Sequence, residues 1–260
     1  MDRDDSARTA RITLNATFWL ARLRQAGQAF LDLLYPPRCA GCGRLGALFC
    51  EACQAQVIPV TPPVCIRCGR PDVAGGLCSA CRSTPSALDG VLSSAVFAPP
   101  LRTVIHQFKY RNERALAAPL ATRLITAWRD AGLSADLIVP VPLHASRASE
   151  RGYNQSALLA HGLGSAVGVV VAEDLLVRER ATLPQTHLNR RERSQNVSGA
   201  FACRRNLPGM RIVLVDDVCT TGATLEACAK ALRTAGAAHV QGLTVARPLW
   251  SAGTDGVDLS

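Results

Sequence analysis

Val213-Leu214-Val215-Asp216-Asp217-Val218-Cys219-Thr220-Thr221-Gly222-Ala223-Thr224 joins three local signals in one short stretch. An apolar β-branched run reads as a buried strand. It ends in two adjacent carboxylates. A Thr/Gly loop follows, and then a helical pattern from about Leu225 to Ala235. Strand, loop and helix in that order predict an open α/β sheet, with a ligand site outside the carboxyl end of the strand.

Each part has a chemical use. Thr220, Thr221, Gly222, Ala223 and Thr224 turn backbone N–H groups and hydroxyls toward one anion at a helix N-terminus, where the helix dipole also favours negative charge. Gly222 permits backbone approach that a Cβ would block. Asp216 and Asp217 accept hydrogen bonds from a cis-diol or hold Mg²⁺ through water. A phosphate cradle beside a diol acceptor suits a ribose 5-phosphate. The alternative is an ordinary strand whose acids only cap the next helix. A Walker-B assignment fails because G-x-x-x-x-G-K-[ST] occurs nowhere in the chain.

Outward from this stretch the chain alternates strand and helix, the pattern of a parallel sheet. Strands are expected at 91–98, 137–141, 169–177, 211–215 and 239–245, and helices at 101–110, 115–131, 155–167 and 224–235. Two loops should face the site. The first, Pro140 to Gln155, carries Arg147 and Arg151, whose forked guanidinium groups suit a pyrophosphate; Asn154 is placed to cap the following helix. The second, 178–205, holds seven arginines, Arg190 and Arg193 among them, against two glutamates. A polar connection this long is functional or disordered. It would close over a polyphosphate and exclude water.

Cys39-x-x-Cys42, Cys50-x-x-Cys53, Cys65-x-x-Cys68 and Cys78-x-x-Cys81 lie upstream. A two-residue spacer brings two thiolates to one metal, and two such knuckles close a Cys₄ tetrahedron, the arrangement of structural Zn²⁺. Sequential pairing into two zinc sites is natural, and interleaved pairing stays open. A disulfide framework and an iron–sulfur cluster are the rivals. Cys203, Cys219 and Cys228 read as small buried hydrophobes. The N-terminal segment 13–34 has helical spacing that Pro36-Pro37 ends, giving an amphipathic helix ahead of the zinc module. The expected division is 1–37 for tail and helix, 38–82 for the zinc module and 88–248 for the α/β domain.

The 260 residues carry a net charge of +9, and Lys109 and Lys230 are the only lysines. An arginine excess fits polyphosphate or nucleic acid and does not separate them. No apolar run is long enough to span a membrane, and no signal-peptide pattern opens the chain. A cytoplasmic protein is expected.

The 213–224 stretch resembles the PRPP (5-phosphoribosyl-1-pyrophosphate) motif of type I phosphoribosyltransferases. Phe108-Lys109-Tyr110, Pro140-Val141-Pro142-Leu143, Arg151-Gly152-Tyr153-Asn154-Gln155, Gln185-x₄-Arg190 and Arg193-x₂-Asn196-Val197 stand around it in the order seen in the ComF family, behind a matching zinc ribbon. The resemblance implies a type I phosphoribosyltransferase-like parallel sheet flanked by helices. It implies Mg²⁺-PRPP held by Asp216, Asp217, the 220–224 loop, Arg147 and Arg151, with Lys109, Tyr153, Asn154, Arg190 and Arg193 as further contacts. It also implies a link to competence, the uptake of single-stranded DNA, with a DNA-uptake helicase as a partner at the inner face of the membrane. Phosphoribosyl transfer is one expectation. A DNA-binding or adaptor module with a regulatory PRPP site is the other.

Overall fold

The computed structural model describes residues 36–70, 76–180 and 199–248, and the chain falls into two compact units, Met1–Cys50 and Glu51–Ser260. The expected helix over 13–34, most of the arginine loop (181–198, with Arg190 and Arg193) and the tail from 249 lie outside the described residues.

In the first unit the chain turns tightly about Cys39. The Cys39 amide donates to the Arg44 carbonyl and the Gly43 amide to the Cys39 carbonyl, each at 2.7 Å. Gly43 makes the turn with a left-handed φ of 76°, which a Cβ would strain.

The second unit opens with helix α1 (Glu51–Ala55) and a second knuckle that ends in helix α2 (Ser79–Ser83). Its opening turn repeats the turn about Cys39. Gly69 N donates to Cys65 O at 2.7 Å and Cys65 N to Arg70 O at 2.8 Å. The α/β domain follows: strand β1 (Gly90–Val96), helices α3 (Leu101–Tyr110) and α4 (Ala117–Asp130), strand β2 (Leu137–Pro140), helices α5 (Ala145–Arg151) and α6 (Gln155–Val167), strands β3 (Leu176–Arg178), β4 (Phe201–Cys203) and β5 (Arg211–Val218), helix α7 (Ala223–Thr234) and strand β6 (His239–Arg247).

Four of the strands form a sheet in the order β1-β6-β5-β2, and every pairing is parallel. A parallel sheet buried on both faces needs nearly continuous apolar strands, and Ile212 to Val215 are each 1% exposed or less. Alternation sends Ile212 and Leu214 into a cluster with Leu225, Cys228, Ala229 and Leu232 of α7. Val213 and Val215 point the other way, toward the layer of α4 and α6. Those helices approach closely: a Cβ on Gly162 would sit 2.8 Å from that of Ala121. On β1 the segment 58–60 covers the free edge, with Val96 N donating to Ile58 O at 2.8 Å, so the edge is not open to another chain.

Four expectations change. The expected strand 169–177 is one parallel bridge, Val171 to Ile138, followed by the short β3. Its apolar run stops at Glu173-Asp174, and the chain then pairs antiparallel with Phe201–Cys203. The loop 140–155 contains helix α5, and the arginine loop contains strand β4. Finally, β5 runs to Val218, so Asp216 and Asp217 lie within the paired strand, Asp216 opposite Thr244.

Candidate functional site

Strand geometry decides what the two acids do. Successive residues of a strand point to opposite sides, and the carboxylates accordingly have different partners. Asp217 is 3% exposed and pairs with Lys109 Nζ at 2.8 Å. Its second oxygen is buried without a partner among the described residues. Lys109 reaches it because Leu101, Val104, Ile105 and Phe108 seat α3 in the core. Asp216 accepts from Ser156 Oγ at 2.9 Å and from the Asp217 amide at 2.9 Å. Burial first, and the neighbouring Asp217 charge second, push the Asp216 carboxyl up to about 7 against the pull of Lys109.

This has a sign. Between its unfolded value near 3.8 and about 7, the folded chain holds a proton that the unfolded chain has lost. Stability therefore falls as pH rises through that window. Asp216→Asn should flatten the decline and, at pH 8, stabilise the protein by on the order of 2 kcal/mol, below the full linkage value because the side chain keeps some solvent contact. Urea titrations of both forms from pH 5 to 8 check it; parallel curves would sink it.

After β5 the chain leaves the sheet at Cys219, whose amide donates to Ala246 O at 3.0 Å. Gly222 then takes a left-handed φ of 80°, and the Ala223 amide turns to Thr221 Oγ1 at 3.3 Å. The amides of Thr220, Thr221 and Gly222 meet no acceptor among the described residues. Donors gathered at the start of a twelve-residue helix make an anion seat. The acid in the first turn of α7 does not compete for it: Glu226 accepts from Ser86 Oγ at 2.6 Å and the Ala87 amide at 2.9 Å.

One cavity of about 320 Å³ is lined by Asp216, Asp217, the whole of 218–225, Lys109, Arg147 and Arg151. Arg147 and Arg151 stand one turn apart on α5, and the Arg151 guanidinium lies 4.9 Å from the ring centre of exposed Tyr110. Tyr153 and Asn154 are placed otherwise and do not line this cavity. The Tyr153 hydroxyl donates to the Phe108 carbonyl, tying α5 to α3, and burial raises its pKa. Asn154 caps α6, accepting from the Ser156 amide at 3.1 Å and donating to Val141 O at 3.2 Å. Sequence reasoning missed Ser156, Gln155 and His106 in the wall. Gln155 and Ser156 had a signal, polar residues at buried positions of a helix start. Arg178, counted before only as loop charge, lines the cavity from β3.

The cysteines gather sequentially, which resolves the pairing left open above. Cys39, Cys42, Cys50 and Cys53 form one group and Cys65, Cys68, Cys78 and Cys81 another, the sulfurs of each within 4.8 Å of one another. Amides point at the sulfurs: Cys50 N to Cys39 Sγ at 3.4 Å and Cys78 N to Cys65 Sγ at 3.3 Å. Burial opposes ionisation, yet such backbone donors bring the Cys39 and Cys65 thiols down to about 6. Four soft sulfur donors in a compact group fit Zn²⁺. These are two Cys₄ zinc-binding sites. Cys219, by contrast, is pushed up to about 11, chiefly by burial, and behaves as a packed apolar residue.

Phosphoribosyltransferase-like proteins with a double zinc ribbon are the class that this fold and site define. Residues 30–82 match the double zinc ribbon domain, and residues 159–252 match the phosphoribosyl transferase domain. The chain belongs to the ComF family. It is 36% identical over 206 residues to DNA utilization protein YhgH of Salmonella typhimurium, a match covering 77% of this chain and 90% of that protein. It is 32% identical to Competence protein F of Haemophilus influenzae, covering 76% and 90%. With Competence protein ComFC of Bacillus subtilis it shares 27%, covering 76% and 83%. Among the described residues no helix is long and apolar enough to cross a membrane.

Proposed function

We propose that the cavity binds PRPP with Mg²⁺ and that the protein serves DNA uptake or utilisation in the cytoplasm, with phosphoribosyl transfer as its chemistry. One observation carries the reading: three unengaged loop amides, two carboxylates and two arginines border a single cavity. The 5-phosphate would take the amides of Thr220 to Gly222 and the start of α7. Ribose hydroxyls would donate to Asp216 and to the unpartnered oxygen of Asp217. Arg147 and Arg151 would face the pyrophosphate, and Mg²⁺, when bound with it, neutralises part of its charge. As pyrophosphate leaves, positive charge grows at C1 close to the carboxylates, and the arginines hold the departing anion. The division at 37/38 and 82/88 is kept as the functional one: tail and helix, zinc module, ligand-binding domain.

A second reading has its own support. Tyr110 is 57% exposed with His106 at 4.6 Å and Arg151 over its ring, and such an aromatic–arginine cluster stacks nucleobases. The relatives' names point to DNA. Single-stranded DNA, or a helicase-like partner, would then engage this rim and the 190–193 arginines, with PRPP as a regulator.

Calorimetry tests the sugar site, and product analysis separates the readings. Mg²⁺-PRPP is expected to bind wild type, and Asp216→Ala/Asp217→Ala to weaken it by roughly a hundredfold, about 3 kcal/mol. Equal binding by both forms overturns the sugar site. Appearance of a ribosylated product in the presence of candidate bases would establish transfer. Salt-sensitive oligonucleotide binding without product would favour the second reading.

A further inference from the structure

Arg247 ends β6 and is 3% exposed. Among the described residues it has no carboxylate partner within ion-pair distance, and its Nε is buried without a hydrogen bond. What it does hold is informative. Its Nη1 donates to the carbonyl of Cys68, one of the four sulfur residues of the second zinc group. A buried guanidinium without a counter-charge is costly. Four thiolates around one Zn²⁺ carry a net double negative charge, which at the second group would supply the missing counter-charge.

The backbone at Arg247 is tied to the cavity wall. Its preceding residue, Ala246, accepts the Cys219 amide at 3.0 Å, and its own carbonyl accepts Phe97 N at 2.6 Å. Cys219 immediately precedes Thr220, and Phe97 lines the cavity. Gly69 closes the contact: a Cβ there would sit 2.9 Å from Arg247 Nη1.

We propose that Arg247 is a positioning residue through which the second zinc ribbon holds the root of the phosphate loop, so that zinc occupancy at Cys65/Cys68/Cys78/Cys81 and grip on a sugar 5-phosphate are coupled. The inference rests on the phosphate-loop reading given above. By reciprocity, a ligand on the loop slows zinc loss as much as zinc tightens the ligand.

The test uses the full-length, zinc-loaded chain with two probes. Ribose 5-phosphate reads the loop, and inorganic pyrophosphate reads Arg147 and Arg151. Arg247→Met is expected to lose about tenfold in ribose 5-phosphate affinity and less than about twofold for pyrophosphate, with Arg247→Lys recovering part of the loss. General damage to the fold would weaken both probes alike, and that result overturns the proposal, as does unchanged ribose 5-phosphate affinity. A second arm needs no variant. Zinc released from wild type to a chromogenic chelator should include one phase slowed about threefold or more by saturating ribose 5-phosphate and not by pyrophosphate. Rates indifferent to the sugar phosphate also refute the coupling. If wild type fails to bind ribose 5-phosphate at all, the loop reading itself is lost, and the coupling falls with it.

Discussion

Lys109→Met is expected to destabilise the protein by about 3–5 kcal/mol, because it strands a buried charge. Asp217 is 3% exposed, its one ion-pair partner among the described residues is Lys109 at 2.8 Å, and its other oxygen has no partner there. Methionine keeps the apolar stem of lysine, so packing on α3 is largely preserved and the loss is electrostatic. Asp217→Asn added to Lys109→Met should restore much of the stability, since it removes the uncompensated carboxylate. Urea denaturation of both single variants and the double gives the coupling energy. Additive losses would show that the pair is a surface contact in energetic terms. The same pair also bears on the ligand: both side chains line the cavity, so the double variant should fold and yet bind Mg²⁺-PRPP poorly.

Gly69→Val should be nearly as damaging, by about 3 kcal/mol or more, from a different cause. Gly69 has a left-handed φ of 66°, which a β-branched residue resists. Its Cβ would also fall inside van der Waals contact of the Val91 carbonyl oxygen and against Arg247 Nη1. The knuckle turn must open, and with it the group that Cys65 and Cys68 complete. Metal analysis is expected to fall from two zinc per chain to one, with a lowered denaturation midpoint. Gly43→Val, at the equivalent turn of the first knuckle, has a left-handed φ of 76° but meets nothing within 4 Å, so it should cost only the backbone strain, about 1 kcal/mol. Equal losses at the two glycines would refute the packing argument.

Much of the fold was legible before any coordinates. Helices α3 and α6 begin and end where their apolar spacing and caps place them, Leu101–Tyr110 and Gln155–Val167. Asn154 announces the start of α6, and Gly168 closes it with a left-handed φ of 73°. Where reading failed, the deciding partner was distant. The run Val169-Val170-Val171-Ala172 has strand propensity, but among the described residues only Ile138 receives it, through one bridge. Helix α5 escaped because its polar residues, Ser149, Glu150 and Arg151, carry no apolar stripe.

Sequence alone determined the chemistry available: two adjacent acids on an apolar strand, an anion-seating turn, and eight thiols in four knuckles. Each of these depends on residues a few positions apart, whose geometry the backbone itself constrains. Tertiary structure alone decided how those groups are divided. It gave Asp216 to Ser156, 60 residues away, and Asp217 to Lys109. It paired the knuckles sequentially, and it set Arg247 against the carbonyl of Cys68 across 179 residues. Hydrogen-bond and charge partners at such separations follow from which helix covers which face of the sheet, a matter of packing that no local pattern encodes.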